Sequence, residues 1–118
     1  MFVGKPSSSK LKKWMTEFEM KVRQGGIPFS PLDGPLEAHI SFRFPYLKST
    51  PKLMVQSKMS FYKPTRPDLD NLEKAVLDSL TRMKVIVDDS NVVLKTSEKL
   101  YCSEPGIYIH IKQLPEIL

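Results

Sequence analysis

The sequence predicts an α+β fold, with a mixed β-sheet and two main helices packed on one face of it, in a single compact domain. Segments with the period of a helix alternate along the chain with segments of strict two-residue alternation, which is typical of strands. The 118 residues suffice for one hydrophobic core and are too few for two ordinary domains. We therefore expect one domain over residues 1–118.

The first half of the chain is predicted to contain one helix and one long strand. Between residues 10 and 24 the apolar side chains fall on one helical face, and a pair of glycines ends the helix. Residues 36–44 alternate between apolar and polar side chains, so we expect a strand with one buried face and with His39 on its polar face. Residues 1–3 are predicted as a short edge strand, and residues 58–62 as another short strand.

The second half is predicted to contain a central helix and three strands. A series of apolar residues three or four apart predicts a helix that begins with Asp68 as its N-cap and ends near Met83. The short apolar run at residues 85–87 predicts a buried strand. Residues 92–101 and 107–112 predict two further strands, separated by a turn.

Two pairs of aspartates flank the central helix. Asp68 and Asp70 lie at its start, and Asp88 and Asp89 follow the strand predicted at residues 85–87. Carboxylate oxygens are the ligands that hard divalent cations prefer, which indicates a site for Mg²⁺, with Mn²⁺ as an alternative. No glycine stands where a calcium-binding EF-hand loop needs one, and the chain has no cluster of histidines and cysteines for zinc.

A structural interpretation of these acids is also open. Asp68 can cap the helix, and Asp70 can form an ordinary ion pair with Lys74, worth about 0.3–0.5 kcal/mol. For the first pair of aspartates alone, this interpretation is favoured. The adjacent charges of Asp88 and Asp89 favour a metal site instead, because they repel each other unless a cation or a basic partner offsets them. A turn with two solvated acids stays open as the alternative.

The distribution of charge indicates an anionic partner such as DNA. The formal net charge is +5; residues 1–60 carry 10 basic against 4 acidic side chains, and residues 61–118 carry 8 against 9. A basic body around an acidic pocket suits a nuclease, since cations hold phosphates while carboxylates hold metal. The basic face of the first helix is either a solvated surface or a phosphate-contacting one. The candidate DNA contacts are Lys10, Lys12, Lys13, Lys63 and Arg66.

Composition excludes several other classes of protein. Hydrophobic residues are 41% and charged residues 26% of the chain, which is the balance of a globular protein and not of a disordered or fibrous one. The single cysteine, Cys102, cannot close an intramolecular disulfide, and no apolar run has the length of a membrane span or a signal peptide. We therefore expect a cytoplasmic protein without a membrane partner.

The residues around the aspartates resemble the RusA-type Holliday junction resolvases, a family found mainly in bacteria and their phages or prophages. The resemblance covers about 30 residues closely, in residues 67–72 with Lys74, residues 75–80 and residues 87–92. An Asp-x-Asp-Asn motif is weak alone, but the downstream lysine and the Asp-Asp doublet at this spacing make the combination specific. This chain differs from the family pattern directly before the first aspartate. The family often has a basic residue at that position, whereas this chain has Pro67, preceded by Arg66.

The resemblance implies a RusA-like fold and a homodimeric, Mg²⁺-dependent endodeoxyribonuclease. Such an enzyme cuts four-way DNA junctions by paired nicks in recombination and repair. The implied metal ligands and catalytic carboxylates are Asp68, Asp70 and Asp89, with Asp88 beside them at the metal, and Lys74 matches the family's functional lysine. The lysine is expected to neutralise charge on the scissile phosphate or to orient Asp70.

Lengths along the chain constrain how the two acidic pairs meet. A helix from Asp68 to Met83 is roughly 22 Å long, whereas the six residues from there to Asp89 span at most about 20 Å. One subunit therefore gathers its own carboxylates only if the helix is short or the chain doubles straight back. The alternative is a site that a partner subunit completes.

Two functions of other classes stay open at this level. One is a DNA-binding module without catalysis, in which the acids only cap helices and the lysines bind phosphate. The other is a small assembly or regulatory protein whose basic charge serves solubility.

Overall fold

The computed structural model describes residues 8–27 and 30–118, with backbone alone for residues 8–12 and 14. The strand predicted at residues 1–3 lies outside these ranges. The elements in chain order are α1 (Ser8–Gly25), β1 (Leu36–Phe44), α2 (Lys52–Gln56), β2 (Phe61–Tyr62), α3 (Leu69–Arg82), β3 (Val92–Tyr101) and β4 (Gly106–Gln113). The predicted α+β class is confirmed, and so are both main helices.

The four strands form one mixed sheet in the order β2-β3-β1-β4. β1 is central, since it pairs parallel with β3 and antiparallel with β4 over most of its length. β2 is antiparallel to β3 and pairs with only its last two residues, Leu100 and Tyr101. Parallel strands need a long crossover between them, and here residues 45–91 with α3 supply it.

Both main helices pack on one face of this sheet. The strict alternation of β1 buries every second side chain, from Leu36 to Phe44, on the face that the helices cover. α1 contributes Met15 and Phe18 to the same core, and the apolar stripe of α3 lies against it. The buried residues of that stripe include Leu72, Val76, Leu77 and Leu80.

A polar contact fixes the two helices to each other. Ser79 of α3 is fully buried, and its hydroxyl donates to Glu19 Oε2 of α1 at 2.9 Å. Arg82 donates to the same oxygen at 2.7 Å. Burial alone raises the pKa of Glu19, but the hydrogen bonds from Arg82 and Ser79 outweigh it and the net pKa is lowered.

The segment after α3 differs from the prediction, because residues 85–87 are not a strand of the sheet. Ile86 forms one isolated parallel bridge with Leu32, and its side chain is buried. Lys84 adopts a left-handed backbone conformation, with φ of 62°, and turns the chain back so that Val85 N–H donates to Leu80 O at 2.9 Å. Within the apolar run, Ile86 is therefore buried and Val85 half-buried beside the end of α3, whereas Val87 is exposed.

The segment before α3 also differs in detail from the prediction. The strand expected at residues 58–62 is reduced to the two residues of β2, and α2 is a short helix that the sequence pattern did not indicate.

None of the helices in the described ranges has the length and apolar content needed to cross a bilayer.

Replacing Phe42 with alanine tests the position of the core. Phe42 is fully buried in the middle of β1, so Phe42→Ala is expected to lower the free energy of unfolding by about 3–5 kcal/mol. Tyr62→Ala, at a side chain that is 75% exposed, serves as the control and is expected to cost well under ~1 kcal/mol. Urea unfolding followed by circular dichroism measures both, and equal losses would contradict the assigned core.

Candidate metal centre

The first acidic pair is exposed at the start of α3. Asp68 occupies the N-cap position, but its side chain makes no capping hydrogen bond. Asp70 lies in the first helical turn, where its Oδ1 accepts from Asn71 N–H at 3.0 Å. The carboxylate of Asp68 is therefore not used as a helix cap, although its position is that of a cap.

Lys74 follows one turn after Asp70 on the exposed side of α3. Asp70, Lys74 and Asp78 all face solvent, as the helical spacing predicted. In residues 8–27 and 30–118, no ion pair within 4 Å joins Lys74 to either aspartate. The ordinary pairing of Asp70 with Lys74 is thus not formed, and the ammonium group is directed to solvent, where a phosphate can reach it.

The second acidic pair lies in a tight turn, residues 88–91, which we call the acidic turn. Asp88 caps it: its Oδ2 accepts from Ser90 N–H at 3.0 Å and also from the Ser90 hydroxyl, while Asn91 Oδ1 accepts from Asp88 N–H at 3.0 Å. The hydrogen bonds from Ser90 hold the pKa of Asp88 below its ordinary value. Asp88 therefore shapes the turn, and Asp89 is the carboxylate that the turn presents to solvent.

Asn91 attaches the acidic turn to the loop before β1. Its amide donates to Asp33 Oδ1 at 3.2 Å and to Gly34 O at 3.0 Å. Gly34 has φ of 75°, a conformation that glycine adopts without steric cost. The acidic turn is thereby held at the end of the sheet where β1 and β3 begin, a role of Asn91 that the sequence analysis missed.

Two lysines hold residues 63–67, which we call the motif loop, in place before Asp68. Lys63 is only 7% exposed, and its ammonium donates to Thr65 Oγ1 at 2.8 Å and to Tyr101 OH at 3.0 Å. Lys99 donates to the carbonyls of Thr65 at 2.5 Å and Pro67 at 2.7 Å. The segment that leads into the first acidic pair is therefore held by two ammonium groups, that of Lys63 at the Thr65 side chain and that of Lys99 at two backbone carbonyls.

The candidate DNA contacts lie in different environments. Lys13 and Arg66 are exposed, and the side chains of Lys10 and Lys12 fall outside the described part of α1. The ammonium of Lys63 instead lies inside, over the rings of Phe44 and Tyr101 at 5.2 and 4.9 Å. A contact between Lys63 and DNA stays a prediction, whereas its contacts with the motif loop are observed. Phe61 and Lys63 are two residues apart, and in an extended segment such residues point to the same face. This spacing was the signal in the sequence for the inward orientation of Lys63.

Glu73 anchors α3 to the strand beside it. It accepts from the hydroxyl of Ser97 and lies 3.3 Å from the ammonium of Lys95, both on β3. Its side chain is only 13% exposed, so this ion pair is screened less than one on the surface. Sequence reasoning missed this role because Glu73 and Ser97 are 24 residues apart along the chain.

The two acidic pairs attach near opposite ends of β3. Pro67, the neighbour of Asp68, contacts Lys99 near the strand's last residue, whereas the acidic turn leads directly into its first residue, Val92. α3 and the acidic turn are in contact. Nevertheless, within the described ranges no three aspartate, glutamate, histidine or cysteine side chains are grouped closely enough to hold a metal ion. The donors have the chemistry for a hard cation, but one chain does not bring them together.

Comparison with known proteins adds two findings. A family model described as "Endodeoxyribonuclease RusA" matches residues 5–112, nearly the whole chain. The protein YqaN of Bacillus subtilis (strain 168), described as uncharacterized, is 27% identical over 106 residues, which cover 86% of this chain and 74% of YqaN. The name of that relative carries no statement about activity.

Titration of the tyrosines tests the arrangement beneath the motif loop. Burial raises the pKa of Tyr101, but hydrogen bonds with Lys63 and Thr65 and the charges of Lys63 and Lys99 outweigh it, so the net pKa is lowered. One of the four tyrosines is therefore expected to ionise at lower pH than a free phenol, as followed by phenolate absorbance. Tyr101→Phe should remove this early transition, and Lys63→Met should move it to higher pH. An unchanged titration in Lys63→Met would contradict the contact.

Proposed function

The chain belongs to the RusA endodeoxyribonuclease family, and from that premise we propose that it is a Mg²⁺-dependent nuclease that resolves four-way DNA junctions by paired nicks. The observation that carries the proposal is that Asp68, Asp70 and Asp89 are exposed carboxylates that form no ion pair with any residue that the structure describes. Exposed acids whose charges are not paired, on a chain of net charge +5, favour an external cation and an anionic substrate.

The donor set determines the kind of metal. Asp68, Asp70 and Asp89 would hold it through oxygen atoms alone, which suits Mg²⁺ and, as an alternative, Mn²⁺. Asp88, whose oxygen is engaged by Ser90, acts mainly by orienting Asp89. A bound divalent ion supplies an activated water and stabilises the leaving oxygen in phosphodiester hydrolysis.

The basic side chains bind and orient the phosphate. Lys74 lies one turn from Asp70 and makes no ion pair with it, so its charge is available to the scissile phosphate. Lys13 and Arg66 are exposed and would contact phosphates further along the DNA, with Lys10 and Lys12 as further candidates on α1. Lys63 and Lys99 act on the protein side, because they hold the motif loop from which Asp68 projects.

The paired nicks require two sites, so we propose a homodimer with one two-fold axis matched to the symmetry of a four-way junction. The protein would act in DNA recombination and repair in the cytoplasm of a bacterium, encoded by the bacterium or by a phage or prophage. The alternative is a basic DNA-binding module without catalysis.

Asp70→Asn is expected to abolish cutting of a synthetic four-way junction and to leave binding intact. The amide removes a metal-ligand charge without changing the basic surface. Loss of even an outer-shell partner costs about 10–100-fold in metal affinity or activity, so loss of a direct ligand should cost at least ~100-fold. Asp78→Asn, on the same exposed side of α3, is the control and should cut like the wild type. A wild type that binds the junction and never cuts it with Mg²⁺ would favour the non-catalytic alternative.

Lys74→Ala is expected to reduce the rate of cleavage by about 10²–10³-fold, since it removes a charge aimed at the reacting phosphate. Lys112→Ala removes an equally exposed lysine on β4, away from α3, and should have little effect. Single-turnover cleavage at saturating protein separates this loss from weaker binding. Equal rates for the two variants would exclude the proposed role of Lys74.

A further inference from the structure

Residues 47–60, which we call the arm, connect the end of β1 to β2 and contain α2. Three of the five residues of α2 are apolar, and none of its residues is buried. Leu53 is 73% exposed, and Leu47, Val55 and Met59 are exposed as well. A helix of this length is ordinarily stabilised by packing of its apolar side chains. The arm instead presents them to solvent, which indicates a binding surface.

Hydrogen bonds to the backbone give the arm a defined shape. Within it, Ser57 N–H donates to Leu53 O and Met59 N–H donates to Met54 O, both at 3.0 Å. At its base, the hydroxyl of Tyr46 donates to Met59 O at 2.6 Å. The apolar side chains are therefore held outward by the fold of the arm itself.

The base of the arm lies beside the motif loop. Tyr46 and Phe61, which flank the arm, stack with ring centroids 6.1 Å apart, and the centroid of Phe61 lies 5.2 Å from that of Tyr101. The hydroxyl of Tyr101 accepts from Lys63, which also donates to the motif loop. One aromatic cluster therefore supports both the arm and the segment that leads into Asp68.

The charge of the arm indicates the kind of partner. Lys48, Lys52 and Lys58 are exposed on it, and the sequence has no acidic residue between Glu37 and Asp68. Surfaces that bind other proteins are depleted in lysine, whereas surfaces that bind DNA are rich in basic side chains that contact phosphates. Lysines interspersed with exposed aliphatic side chains therefore favour DNA over a protein partner.

Aliphatic side chains contact DNA at interrupted base steps. Leucine and methionine can act as wedges between neighbouring base pairs, and separating the pairs costs stacking energy. That cost is smallest where the stack is already broken, as it is where the helices of a branched DNA meet. An exposed leucine on a basic segment therefore binds a branch point more tightly than a continuous duplex.

We propose that the arm binds the branch point of the DNA substrate, where Leu53 enters the broken base step while Lys52 and Lys58 contact neighbouring phosphates. The motif loop, supported by the same aromatic cluster, then places Asp68 and Asp70 at the DNA backbone near the branch point. The arm thus determines the preference for a branched over a linear substrate, and this role rests on the proposed function.

Leu53→Ala tests the wedge. Affinity for a four-way junction is expected to fall about 10-fold, because the variant buries less apolar surface at the branch point, while affinity for a linear duplex stays unchanged. Fluorescence anisotropy without divalent cation measures binding with no cutting. Truncation of an exposed side chain should leave the fold intact, which circular dichroism checks.

Ile117→Ala is the matched control for this variant. Ile117 is 86% exposed and follows Leu114, whose N–H donates to Pro35 O at the opposite end of β1 from the arm. This variant should bind junction and duplex like the wild type.

A fluorescent base at the branch point gives an independent readout of the wedge. 2-Aminopurine fluoresces more strongly when it is unstacked. Binding of the wild type should therefore raise the fluorescence of 2-aminopurine at the branch point of the junction, and binding of Leu53→Ala should not.

The double variant Lys52→Ala and Lys58→Ala tests the phosphate contacts. It is expected to weaken binding of junction and duplex by similar factors, because phosphates are common to both. The slope of log affinity against log salt should become shallower by about 2, at ~0.9 for each phosphate contact. Lys112→Ala, on β4, should leave this slope unchanged.

The outcomes separate the role of the arm from the proposed function. A Leu53→Ala protein that keeps the full preference of the wild type for the junction would overturn the role of the arm and leave the proposed function standing. Unchanged DNA affinity in both arm variants would also overturn it and would assign the arm to a protein partner. A wild type that binds no DNA at low salt would contradict the proposed function, and the role of the arm with it.

Discussion

Repulsion between like-charged carboxylates is the constraint on which the arrangement of this site depends. Four aspartates repel one another unless a cation offsets their charge, and in the described residues of one chain no three acids lie close enough together to hold a metal ion. Each pair is instead fixed separately. Asp68 and Asp70 follow the motif loop, which the ammonium groups of Lys63 and Lys99 hold in place. Asp88 is fixed by hydrogen bonds within its own turn. Each acidic pair is thus positioned by its own local contacts, which is the preorganisation that the proposed metal site would need.

β3 connects these two halves to the rest of the protein. Its last residues contact the motif loop through Lys99 and Tyr101, its middle holds α3 through Glu73, and its first residue follows the acidic turn. The central strand β1 supports β3 over its whole length and buries the core beneath α1 and α3. In the described residues, β3 is therefore paired with β1 along one side and with β2 at only its last two residues along the other.

Local pattern was enough to predict much of this fold. The alternation of residues 36–44 gave the bounds of β1, and the stepped apolar series placed α3 with Asp68 as its N-cap residue. The run at residues 85–87 was wrongly predicted as a strand, because a short apolar segment looks the same whether it pairs in a sheet or folds back on a helix. The left-handed conformation of Lys84 decides between the two, and a lysine carries no local signal for it.

Contacts between distant parts of the chain could not be predicted in the same way. A lysine ordinarily lies at the surface. The buried position of Lys63 is favoured by its hydrogen bond to the hydroxyl of Tyr101, which lies 38 residues later in the chain. The separation of the acidic pairs likewise depends on how α3 and β3 pack, although the lengths of the elements already indicated a difficulty. That indication agrees with the absence of a three-acid group in the described ranges of one chain.

Crystals of the protein grown with Mn²⁺ test the central claim most directly. If the proposed metal centre exists, an anomalous difference map should show a peak held by Asp68, Asp70 and Asp89. A map with no peak at any of these aspartates would contradict the metal centre.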